Sequence, residues 1–188
     1  RQARLWLDSG IDLASISVSL NISPLQFKEP LELKANIERI LSETGLPPAI
    51  LELELTEMTL MAAGQSTHNV LSDLRKMGIR IAIDDFGTGY SSLSYLIRYP
   101  VDRIKIAQEF MLKLTDDPSS MIIVKSTINL AHDLGLNIIA EGVENKEQLD
   151  LLKSWNCNQV QGYYYSRPLS AEAMTAHLLR GTMAPAGS

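Results

Sequence analysis

Six short apolar runs, each followed by a stretch with helical spacing, constrain this chain more than any other feature. The runs lie at 15–20, 50–55, 79–83, 103–106, 137–140 and 159–163. They are rich in Val, Ile and Leu and nearly continuous in apolar character. Such runs suit strands buried on both faces, as in a parallel sheet. Between them, Leu33, Ile37, Ile40 and Leu41 recur at the spacing of one helix face. Val70, Leu74 and Met77 form a second stripe, and Val124, Ile128 and Ala131 a third. Leu149 and Leu152 form a fourth, with Leu151 and Trp155 beside it. Gly45, Gly78 and Gly135 stand where helices should close before strands, and Asn145 and Ser170 where helices should begin. Strand–helix alternation with short links predicts a parallel α/β fold. Periodicity leaves two arrangements open: an open doubly wound sheet, or part of an eight-stranded barrel.

The length of 188 residues predicts one domain, over 1–180, with a frayed tail at 181–188. The opening residues read as a helix entered midway. A net charge of −5 argues against DNA or RNA polymers as partners, because binding them needs a basic excess. A small phosphorylated ligand is still compatible, since metal ions can bring positive charge to an acidic site. No apolar run approaches the roughly 18 residues of a membrane span, and no signal peptide is visible. The one cysteine, Cys157, allows no internal disulfide and reads as a small apolar filler. The methionines are expected in the core.

Polar groups recur at the carboxyl ends of the expected strands, where ligands bind in barrels and open α/β sheets alike. Asn21 ends the first run, Glu54 and Glu57 the second, and Asp84 and Asp85 the third. Lys105 lies on the fourth, Glu141 ends the fifth with Glu144 close behind, and Gln161 lies on the sixth. A single such residue often does no more than cap the next helix. Six in phase point to a shared site. Carboxylates and an amide are hard oxygen ligands that suit Mg²⁺ or Mn²⁺ rather than zinc. Adjacent Asp84 and Asp85 leave a regular strand in opposite directions, but at a turning strand end both can reach a pair of ions. Two such ions can activate water and clamp a phosphoryl group, so phosphodiester hydrolysis is a natural reaction class. Asp85-Phe86-Gly87 is shared with protein kinases, but no glycine-rich nucleotide loop precedes it and no His-Arg-Asp occurs.

The segments "SVSLNIS", "LELELTE", "IAIDDFGTGYSSLSYL", "VDRIKIAQEF", "IIAEGVENKEQLDLL" and "VQGYYYSRPL" resemble, in order, the motifs of the EAL domain family. The resemblance implies a TIM-type (β/α)8 barrel of the EAL type, with this chain covering its C-terminal three-quarters and lacking the first strands and a helix. It implies hydrolysis of cyclic-di-GMP to linear pGpG with Mg²⁺ or Mn²⁺ at a two-metal site. Asn21, Glu54 and Asp84 match ligands of the first metal, and Asp84 and Asp85 those of the second. Glu141 matches a glutamate beside the second metal that serves as ligand or general base. Lys105 matches the lysine that orients the attacking water. Glu57 and Glu144 are implied to steady loops, and Gln161, Ser166 and Pro168 to contact the substrate.

The resemblance further implies a bacterial cytoplasmic setting, a homodimer through the region after Asp85, and fused sensor or GGDEF domains. Two departures matter. The family's namesake motif, with its own metal-binding glutamate, would lie ahead of Arg1, and Ala107 stands where the family usually has aspartate. They motivate the alternative of a catalytically impaired cyclic-di-GMP receptor. An unrelated metal-dependent α/β enzyme would have to reproduce the motif order by chance.

Overall fold

The computed structural model describes residues 1–11, 16–89 and 93–180. The expected tail, 181–188, lies outside the described residues. Six strands form one sheet in the order β1-β2-β3-β4-β5-β6. The pairings β1–β2, β4–β5 and β5–β6 are parallel. A doubly wound sheet reverses its strand order at a switch point. No reversal occurs here, so the order is the succession that a (β/α)8 barrel repeats.

The chain divides into two compact units. The first comprises Arg1–Ile83 and Gly89–Asp102. It holds α1 (Gln2–Asp8), β1 (Val18–Asn21), α2 (Pro30–Thr44), β2 (Leu51–Thr56), α3 (Glu57–Met61), α4 (Gln65–Lys76), the start of β3 (Arg80–Phe86) and α5 (Ser94–Arg98). Leu53, Leu55, Leu71, Leu74, Ile81 and Ile83 are fully buried and form its core. Each such side chain contributes about 1.5–3 kcal/mol of burial. In β2 the leucines take one face and Glu52, Glu54 and Thr56 the other, because successive side chains alternate. Ile40 departs from the expected stripe. Leu33 and Ile37 of α2 are buried, but Ile40 is exposed beside Leu20 and Pro47 in an apolar groove.

The second unit comprises Asp84–Thr88 and Arg103–Ser188. It holds the end of β3, then β4 (Arg103–Ile106), α6 (Gln108–Leu112), α7 (Pro118–Asp133), β5 (Asn137–Glu141), α8 (Lys146–Ser154), β6 (Gln159–Gln161) and α9 (Ala171–Arg180). Ile104, Ile106, Met111, Val124, Ile128 and Leu152 are fully buried. Among the described residues Met111 is the methionine that meets the core expectation in full, whereas Met58 and Met61 are exposed on α3. Two strands are entered through side-chain oxygens. Asp102 accepts a hydrogen bond from the Ile81 backbone N–H at 3.0 Å, and Asn158 from Ile138 at 3.0 Å. Each satisfies a backbone donor at the start of its strand. Among the described residues no helix is long and apolar enough to cross a membrane.

Candidate functional site

In the second unit, β3, β4 and β5 deliver four charged groups to one place. Asp84 comes late on β3, Lys105 sits inside β4, and Glu141 ends β5. On β4, Lys105 alternates with the fully buried Ile104 and Ile106, and the buried Ala107 directly follows the strand as the N-cap of α6. The Lys105 side chain is only 5% exposed. Its Nζ lies 2.6 Å from Glu141 Oε1 and 3.1 Å from Asp84 Oδ1. A buried ammonium is stable only when paired, and these two carboxylates supply the pairing.

Asp85 joins the cluster through its backbone. Alternation alone would send its side chain away from Asp84, but its φ of +52° takes it out of the extended conformation. Ligand oxygens of Asp84, Asp85 and Glu141 all lie within 4.8 Å of one another. Three carboxylates thus face one ammonium, leaving a formal balance of two negative charges. Asp84 Oδ1 is buried and, among the described residues, has Lys105 beside it as an ion partner but no further hydrogen-bond donor. Such an atom, in an all-oxygen cluster with excess negative charge, fits a hard divalent cation such as Mg²⁺ or Mn²⁺.

In the first unit, Asn21 at the end of β1 is the register partner of Glu54, two residues before the end of β2. The Ile22 N–H donates to the Glu54 carbonyl oxygen at 2.9 Å and continues the pairing past Asn21. Glu54 is buried and Asn21 exposed. Glu57 opens α3 behind the cap Thr56 and is buried. The Tyr95 hydroxyl of α5 donates to Glu57 Oε2 at 2.6 Å. Burial, and next this hydrogen bond, push the Tyr95 hydroxyl well above the usual tyrosine range, so it stays a donor. A side chain at Gly89 would touch Glu57, which places the glutamate against the segment following β3. Residues 90–92 of that segment lie outside the described residues.

Gln161 sits in register with Glu141 on β6. Together with Tyr163, Ser166, Arg167, Pro168 and His177 it lines a cavity of about 420 Å³. The Arg167 guanidinium lies 4.5 Å from the Tyr163 ring centroid, leaving a flat cation–aromatic surface at the rim. Glu144 is exposed, and its backbone N–H donates to Gln148 Oε1 at 2.8 Å. Gln148 was not among the residues expected at the site. Its signal was the pair Asn145-x-x-Gln148 ahead of an apolar stripe, which is a capping box. Cys157 stands apart from this chemistry. Burial pushes its thiol up to about 11, so it is not a nucleophile at neutral pH.

A family model described as the EAL domain matches residues 1–168. The signaling protein YkoW of Bacillus subtilis is 45% identical over 172 residues, covering 92% of this chain and 21% of YkoW. MucR of Pseudomonas aeruginosa, a bifunctional diguanylate cyclase/cyclic di-GMP phosphodiesterase, is 41% identical over 176 residues, covering 94% of this chain and 25% of MucR. The solved MucR phosphodiesterase in complex with c-di-GMP matches with a TM-score of 0.85 at 40% identity, over 92% of this chain and 69% of that one. A manganese/cy-diGMP complex of Klebsiella pneumoniae BlrP1 matches with a TM-score of 0.77 at 31% identity, over 89% of this chain and 43% of that one. The chain therefore spans between 21% and 25% of the length of these two curated relatives.

Proposed function

This chain belongs to the EAL domain family, and from that premise we propose that it is a cyclic-di-GMP phosphodiesterase domain producing linear pGpG. The observation that carries the reading is the cluster of Asp84, Asp85 and Glu141 around a buried Lys105. Asp84 and Asp85 would hold a divalent cation, with Glu141 as a further ligand or as base. Asn21 and Glu54, register partners on β1 and β2, would hold another. Bound Mg²⁺ or Mn²⁺ would supply Lewis-acid activation of water and of a phosphoryl oxygen.

The chain's own residues set the rest. Lys105 fixes the Glu141 carboxylate at 2.6 Å and offers a donor toward an attacking water. Glu141 accepts a proton from that water as it adds to phosphorus. The bond from phosphorus to one ribose oxygen breaks, that oxygen takes up a proton from solvent as its hydroxyl, and the ring becomes a linear dinucleotide with a terminal phosphate. Gln161, Ser166 and Pro168 line the cavity that would receive part of the substrate, and the Arg167–Tyr163 surface suits a planar base. Glu57, through Tyr95, would steady the loop after β3. Glu144 would do the same for the loop after β5.

The test is turnover of cyclic-di-GMP by the protein at its natural full length, with Mg²⁺ or Mn²⁺. Linear product at catalytic rates is expected, and none at high enzyme concentration with the fold intact would overturn the reading. Asp84→Asn is expected to weaken Mn²⁺ binding by about 10-fold or more, because it removes a charged ligand from the cluster. A metal titration superimposable on the parent's would remove Asp84 from the ligand set.

One observation favours a second reading. Ala107 directly follows β4, two residues beyond Lys105, is buried and gives α6 no side-chain cap. A carboxylate absent from that position would leave a receptor that binds cyclic-di-GMP without cutting it. Calorimetry separates the two: tight binding without metal and without turnover belongs to the receptor.

Homodimerisation through the region after Asp85 is also part of the proposal. Ile97 of α5 is 81% exposed, and Leu93 just before α5 is exposed as well. Ile97→Asp is expected to raise the dimer dissociation constant by about 10-fold or more, read by analytical ultracentrifugation. An unchanged sedimentation profile would exclude α5 from the interface.

A further inference from the structure

We propose that Gln148 is a positioning residue that sets the pose of Glu141, and through it the affinity of the carboxylate cluster for a divalent cation. The proposal rests on the metal reading above. A capping-box glutamine needs only to reach back to its own N-cap backbone N–H. Gln148 does more: it is 4% exposed and uses both ends of its amide. Oε1 accepts from the backbone N–H groups of Glu144 at 2.8 Å and Asn145 at 3.3 Å. Nε2 donates to the Met111 carbonyl oxygen of α6 at 2.7 Å, across 37 residues of sequence. A purely local cap has no use for that last bond.

The two segments so joined are those that follow the strands carrying Lys105 and Glu141. Met111 lies six residues beyond Lys105, at the end of the short helix α6. Glu144 lies three residues beyond Glu141. Between them the chain is tightly held. Gly142 turns with a φ of +76°, and a Cβ there would fall 2.3 Å from Gln108 Cγ at the start of α6. Val143 is fixed on both sides, its N–H donating to Gln161 at 3.0 Å and its carbonyl accepting from Tyr164 at 2.9 Å. The Gln148 amide closes the remaining side. Without it the loop after β5 keeps its contact with β6 but loses its hydrogen-bonded tie to α6. The 2.6 Å approach of Glu141 to Lys105 depends on both segments keeping their relative place.

The test compares Gln148→Met, Gln148→Glu and Leu149→Ala with the parent, in the protein at its natural full length. Mn²⁺ binding is titrated by electron paramagnetic resonance at a temperature where circular dichroism shows each protein folded. Gln148→Met is expected to weaken Mn²⁺ binding by about 10-fold or more, the effect of losing a partner that orients a ligand. It should lower kcat by a similar factor with little change in KM, because the substrate cavity is untouched. Gln148→Glu keeps the acceptor for Glu144 and Asn145 but loses the donor to Met111, so it falls between Gln148→Met and the parent. Leu149→Ala destabilises the same helix without touching the tie, and should lower Tm while leaving Mn²⁺ affinity at the parent's value.

Parental Mn²⁺ affinity in Gln148→Met would overturn the proposal. So would an equal loss of affinity in Leu149→Ala. If Gln148→Met does not fold, Gln148→Glu decides the same comparison. A parent that binds Mn²⁺ but does not cut cyclic-di-GMP defeats the phosphodiesterase reading alone, and the affinity comparison still judges Gln148. A parent that binds no Mn²⁺ defeats both.

Discussion

Replacing Glu141 with glutamine is expected to lower cyclic-di-GMP turnover by at least ~100-fold, the scale of losing a general base. That factor corresponds to about 2.7 kcal/mol of transition-state stabilisation. Glutamine keeps the size and one acceptor oxygen of the glutamate but cannot take a proton, and it brings no negative charge to the cluster. Lys105 would still have Asp84 at 3.1 Å, so the buried ammonium is not orphaned and the fold should persist. The cavity around Gln161 and Arg167 is untouched, and cyclic-di-GMP should bind with affinity close to the parent's. Chromatographic assay of linear product, with calorimetry on the same samples, checks both halves. Parental turnover would take Glu141 out of the chemistry altogether.

The second large effect falls on stability. Gly162→Ala is expected to cost about 3–5 kcal/mol, near the top of the range for single substitutions. A Cβ at Gly162 would sit 2.1 Å from the Val143 carbonyl oxygen and 2.3 Å from its nitrogen. Those are backbone atoms, so no side chain can swing aside. Relief requires β6 and the loop after β5 to part, which breaks the Val143–Gln161 and Tyr164–Val143 hydrogen bonds. Each such bond contributes about 1 kcal/mol, and the overpacking itself a further 1–3. For a chain of this size the expected drop in Tm is roughly 6–20 °C. Gly89→Ala is the internal comparison. Its Cβ would make ordinary contact with Glu57 at 3.6 Å, and its effect on Tm should be far smaller. Equal Tm losses for the two variants would mean that close approach at Gly162 is not what holds this region.

The two effects fall at the end of β5 and on the loop that follows it, and sequence alone reveals only part of why. The fifth strand was legible because Ile138, Ile139 and Ala140 form an apolar run, and Glu141 stands out as the charge that ends it. β3 was read short. Its apolar run stops at Ile83, but the strand continues to Phe86. Asp84, still in the strand, lies 3.1 Å from the ammonium of Lys105, a countercharge 21 residues away in sequence. The sixth strand was read long. Tyr163 to Tyr165 have strong strand preference, yet β6 ends at Gln161. The Tyr165 N–H turns back to the Gly162 carbonyl at 3.1 Å, and Tyr164 bonds to Val143.

The helix caps were legible for a local reason. Asn145 and Gln148 exchange hydrogen bonds within one turn, and Ser170 accepts from Ala173 within another. Such bonds depend only on neighbours in sequence. The bond from Gln148 to Met111 does not, and nothing in "AEGVENKEQ" indicates which distant carbonyl lies within reach.

The sequence by itself determined that the strands are parallel, where most of the helices begin and end, and that polar groups recur at the strands' carboxyl ends; the expected burial holds for β2 to β5, whereas β1 and β6 are largely exposed. These follow from side-chain periodicity and local hydrogen bonding, which act over a few residues. The tertiary structure alone decided that the strands run in unbroken order, that Lys105 bridges Asp84 and Glu141, and that Asp85 turns through a positive φ to join them. Those outcomes depend on distances between segments tens of residues apart, and such distances exist only once the chain has packed.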